Sequence, residues 1–112
     1  MIMIHTKKEI EDLVRKLMKD IDREYYQQNK IYINFIHNKT LLQFKKTIEN
    51  CWHIAVDVQD DQFHKEEPAS ILIFIDDDTL KIEGYLDCSM GRPVPMIAKK
   101  MDNGKYGLGF PQ

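Results

Sequence analysis

One amphipathic segment near the start of the chain does most to limit what it can fold into. From Thr6 to Gln27, the residues Ile10, Leu13, Val14, Leu17, Met18, Ile21 and Tyr25 recur at the spacing of one helical face. The positions between them are mostly Lys, Arg, Asp and Glu. A helix with one apolar stripe has one side to bury. Thr6 followed by Glu9 is the signature of a capping box at its start, and Asn29-Lys30 marks its expected end.

Everything after that helix reads as strand and turn. Ile31, Ile33 and Phe35 alternate with polar neighbours, as do Trp52, Ile54, Val56 and Val58. The stretch 40–50 fits either a helical face (Leu41, Phe44, Ile48) or a strand after a turn at Asn38-Lys39, and the strand fits better with its neighbours. Ile71 to Ile75 is a continuous apolar run, as in a strand covered on both faces. It leads through Asp76-Asp77-Asp78-Thr79 into Leu80 to Leu86, where Gly84 marks a bulge or a close backbone approach. A last hairpin, Met96 to Met101 and Lys105 to Phe110, turns at Asp102-Asn103-Gly104, a type I′ signal. The expected fold is α+β: one N-terminal helix on an antiparallel sheet of about five to seven strands, a single domain over residues 1–112.

The formal charge of −2 conceals an uneven distribution. Residues 57–78 hold eight acids against Lys65 alone, a net −7, while the segments before and after are mildly basic. Asp60, Asp61, Glu66 and Glu67 fall in a loop, and Asp76, Asp77 and Asp78 in a hairpin turn. If loop and turn meet at one end of the sheet, they form a negative surface that attracts a basic partner. Phe63 and Tyr85 are then its apolar anchors. Proteins of toxin-immunity and phage-inhibitor type share this size and polarity. The expected function is therefore occlusion of a basic protein, such as a nuclease toxin or another nucleic-acid-binding protein.

Other chemistry is poorly supplied. Three consecutive aspartates on extended backbone do not converge on one ion, and the EF-hand spacing is missing, so no metal or cofactor is expected. Cys51 and His53 share a strand face, but Asp57 lies about 13 Å further along a strand and cannot orient the ring. No signature of a known catalytic class occurs, which disfavours an enzyme. The lysines and arginines of the first helix are interleaved with acids, which disfavours direct nucleic-acid contact. The opening Met1-Ile2-Met3-Ile4 is too short for a secretory apolar segment and no run is long enough to span a membrane, so the cytoplasm is expected, as monomer or homodimer. The competing expectations are a small-molecule binding domain using Trp52, Arg92 and Tyr106 to stack and clamp a ligand, and a subunit of a larger complex.

Overall fold

Thr6 starts the helix as its spacing to Glu9 predicts. The computed structural model describes residues 3–59, 68–89 and 91–110. In it the Thr6 hydroxyl accepts from the Glu9 N–H at 3.2 Å, and the Glu9 carboxylate accepts from the Thr6 N–H at 3.2 Å. Both halves of the capping box are thus made. Thr6→Ala removes the first half and should lower stability by about 1 kcal/mol in urea denaturation.

Helix α1 spans Lys7–Asp20, ending seven residues before Gln27. The stop is local. Asp22 takes a left-handed conformation at φ 57, its N–H donates to Lys19 O, and the Arg23 N–H donates to Met18 O at 2.9 Å. This is a Schellman closure built on aspartate instead of glycine. Tyr25 keeps its place against the core from outside the helix, its hydroxyl accepting from Arg15 at 3.1 Å.

Six strands follow: β1 Tyr32–Leu41, β2 Lys46–Gln59, β3 Pro68–Asp76, β4 Ile82–Asp87, β5 Val94–Lys100 and β6 Tyr106–Gly109. They form one antiparallel meander in chain order, confirming the α+β expectation. The ambiguous stretch 40–50 is strand on both sides of a single 3-10 turn, Leu42–Phe44. Asn38, expected in a turn, lies within β1 at φ 56. In the last hairpin only Gly104 takes positive φ, and its N–H donates to Met101 O. That turn is therefore longer than the type I′ turn that Asn103-Gly104 predicted.

Register assigns the faces. Trp52 lies opposite Ile75, Ile54 opposite Ile73, and Val56 opposite Ile71. These residues meet Ile10, Val14, Leu17 and Met18 in the main core beneath α1. The other face carries a smaller cluster of Leu41, Ile48, Cys51, Phe74 and Leu86. A strand apolar on both faces, β3, is what the run Ile71 to Ile75 requires. No helix among the described residues is long and apolar enough to cross a membrane.

Candidate binding groove

The Asp76–Asp78 turn and the strand ends that flank residues 60–67 lie at opposite ends of β3. Asp76 and Gln59 mark the separation: β3 runs nine residues from Pro68, opposite Gln59, to Asp76, opposite Cys51. At about 3.3 Å per residue, the two ends stand roughly 26 Å apart. Asp60, Asp61, Phe63, Glu66 and Glu67 lie outside the described residues, but the strand ends that flank them are at the far end of β3 from the turn.

The turn itself is mostly architecture. Asp77 is 0% exposed. Its carboxylate accepts from the Ile4 N–H at 2.7 Å, the His5 N–H at 3.1 Å and the Trp52 indole N–H at 2.9 Å. Burial alone would push its pKa up, but these hydrogen bonds outweigh burial and hold it below the ordinary carboxylate value. Asp77 thus ties the start of the chain to the core and is withdrawn from any partner surface. Asp76, half-buried, accepts from the Asp78 N–H at 2.8 Å. Asp78 alone of the three is exposed.

Tyr85, expected as an apolar anchor, and Trp52, expected to stack on a ligand, are both withdrawn from the surface. Tyr85 and Trp52 are each 1% exposed and belong to the core. Trp52 meets Phe35 edge-on at 4.9 Å. Arg92 is exposed in the β4–β5 connection, beyond Asp87 and Val94. Arg92 thus precedes the start of β5, whereas Tyr106 pairs with Lys100 at its far end and Trp52 is buried, so the three do not share a site. Cys51 is buried, and burial pushes its thiol up to about 11, so it is protonated at neutral pH. Burial, then the charge of Lys39, lowers the pKa of His53, whose ring stacks on Phe74 at 4.9 Å.

The groove arises where the sheet forks. β4 and β5 pair only through Tyr85–Met96, Leu86–Pro95 and Asp87–Val94. Continuing that register would set Gly84 against Ile97 and Ile82 against Lys99, but these positions do not pair among the described residues. Instead β5 turns to β6, pairing Ile97 with Gly109 and Lys100 with Tyr106. Two causes meet here. The β3–β4 register shifts between Phe74 and Ile75, leaving Glu83 as a bulge on β4. The helix also holds β6 in place: Asp20 accepts from the Tyr106 N–H at 3.1 Å and from Lys16 at 2.6 Å, while Lys16 sits 5.6 Å over the Tyr106 ring. The Lys16 hydrogen bond, then that from Tyr106, lowers the Asp20 pKa.

The fork opens a groove of about 1130 Å³. Its apolar surface comes from Leu13, Phe44, Leu80, Ile82, Ile97 and Tyr106. Gly84 lets Phe44 close one wall, since a Cβ there would come within 2.9 Å of the Phe44 ring. Six lysines rim the groove, Lys16, Lys45, Lys46, Lys81, Lys99 and Lys100, against three acids. Each acid is engaged: Glu9 caps the helix, Asp12 pairs with Lys8 at 2.9 Å, and Glu83 pairs with Lys46 at 2.8 Å. Lys45, Lys81, Lys99 and Lys100 have no carboxylate partner among the described residues. The net lining charge is +3, opposite in sign to the acidic stretch that dominates the sequence.

An α1-covered six-stranded antiparallel meander with a forked, lysine-rimmed edge therefore defines the protein structurally. No family model matches the chain, and no curated protein or solved structure matches it either.

Proposed function

We propose that this chain is a protein-binding module, of the occluding kind expected from its size and polarity, whose contact surface is the forked groove. The partner segment it takes is acidic. What supports this reading is four lysines without carboxylate partners among the described residues, beside an apolar floor, in a groove larger than the usual 300–1,000 Å³ of small-molecule sites. Exposed lysine–carboxylate pairs contribute about 0.2–1 kcal/mol each, so four together contribute about 2 kcal/mol, more than tenfold in Kd. The electrostatic version built on Asp76 to Asp78 loses its support with the burial of Asp77.

A fluorescent, glutamate-rich synthetic peptide is the probe. The wild type should bind it in an anisotropy titration, and K45E/K81E/K99E/K100E should lose at least tenfold with its thermal midpoint unchanged, because the four side chains are exposed. Equal affinity of the two proteins overturns the reading. So does a concentration-dependent dimer in sedimentation that the same four changes abolish, since the groove would then hold a second copy. A small-molecule reading has one observation in its favour, Tyr106 in the groove wall. A thermal shift with inorganic phosphate or citrate as large as that with the peptide would select it.

A further inference from the structure

The groove has a second property besides charge: its walls are unpaired strand edges. Among the described residues, Ile82, Glu83 and Gly84 of β4 have ladder partners on β3 only, through Ile82 and Gly84. Ile97 to Lys100 of β5 have them on β6 only. Each strand therefore turns a row of backbone N–H and C=O groups toward the fork. No proline interrupts β5 after Pro95, so every second residue from Ile97 to Lys100 keeps an N–H that can donate toward the fork. Unpaired edges invite an added strand, and most sheets cover or charge theirs. Here the lysines stand along the rim, where they repel another lysine-bearing edge but not an acidic one.

From this we infer that the partner segment binds as an added β-strand: an extended, acidic peptide that pairs its backbone with the inner edge of β5. The inference rests on the groove reading above and names its binding mode. Main-chain hydrogen bonds supply affinity, and alternate side chains divide the remaining work. In an extended peptide, successive side chains point to opposite faces. One set meets the apolar surface of Leu13, Ile82 and Tyr106, and carboxylates on the other face reach Lys99, which projects from β5 on the opposite side to Lys100. A nucleic acid satisfies the lysines but offers no peptide N–H and C=O ladder to β5, and a helix has spent its own.

The test uses a seven-residue peptide of alternating Glu and Val, and the same peptide with every backbone amide N-methylated. Methylation keeps the charges and side chains and removes the donors. The unmethylated peptide should bind at least tenfold more tightly. On binding, hydrogen exchange should slow at those amides of Ile97 to Lys100 that are not bonded to β6. Equal affinity of the two peptides, lost for both in the four-lysine variant, overturns strand addition and leaves the groove reading standing. Failure of both peptides to bind the wild type overturns both readings. Tighter binding of an oligonucleotide than of the unmethylated peptide, with the same lysine dependence, also overturns strand addition.

Discussion

Asp77→Ala should lower the stability of the protein by about 3 kcal/mol, while Asp78→Ala, one residue away, should change it by less than about 0.5 kcal/mol. The two residues look interchangeable in sequence, but they face opposite environments. Asp77 accepts from the Trp52 indole N–H at 2.9 Å, from Ile4 at 2.7 Å and from His5 at 3.1 Å, at no exposure. Removing it leaves the indole donor buried with nothing to accept it, which costs about 2 kcal/mol, and the two partly buried backbone donors supply the rest. Asp78 sits in solvent and its nearest side-chain partner is Asn50, at 3.4 Å. Urea unfolding followed by Trp52 fluorescence measures both. Equal costs for the two substitutions would refute the anchoring role.

Asp77→Asn separates charge from shape. Trp52 and His5 donate to Oδ1 and Ile4 to Oδ2. An amide keeps one acceptor and puts an N–H where the other stood. With its carbonyl toward Trp52, the Ile4 amide faces a donor, so residues 3–5 should exchange hydrogen faster while the core stays intact. The pH dependence follows from the lowered pKa. A carboxylate whose folded pKa lies below its unfolded value contributes stability that is fully present above the unfolded value, about 3.9, and is lost as pH falls through the folded one. The stability difference between wild type and Asp77→Asn should thus shrink as pH falls below about 4.

Much of the architecture was legible because local signals agreed with the tertiary result. The Thr6–Glu9 spacing makes a capping box wherever a helix begins, and the alternation from Trp52 to Val58 reads the same in isolation as under α1. The early stop of α1 was not legible. Ile21 and Tyr25 continue the helical period, and only the left-handed Asp22 breaks it, a conformation that aspartate tolerates without advertising. The burial of Asp77 was not legible for a related reason. Charge along a sequence says nothing about which carboxylate the fold turns inward, and in a meander successive turns fall at opposite ends of the sheet. The groove left no local trace. Its lysines come from α1, from the 3-10 turn and start of β2, from the β3–β4 turn and from β5, as isolated residues or pairs. Only the failure of β4 and β5 to continue pairing brings them together, and pairing partners are not written in either strand alone.

Gly84→Val should cost about 2 kcal/mol and should do so through Phe44. Gly84 was readable as a bulge or a close approach, and both hold: the β3–β4 register shifts beside it, and an added Cβ meets Phe44 at 2.9 Å and Phe74 at 3.1 Å. Phe74 is fixed in the outer cluster and stacked on His53, so it cannot yield. Phe44 hangs from the 3-10 turn between β1 and β2 and is only partly buried, so it moves. A valine therefore displaces Phe44 and opens the wall it forms on the groove. Phe44→Ala alone loses the ring's packing on Gly84. Combined with Gly84→Val, it removes the clash, and the double variant should be more stable than the sum of the single changes predicts by about 1 kcal/mol. Strict additivity in urea midpoints would show that Gly84 is required for a reason other than the ring above it. The glutamate-rich peptide ties the same pair to function. Gly84→Val should weaken its binding several-fold in protein that is still folded, whereas Asp78→Ala, outside the groove, should leave it unchanged.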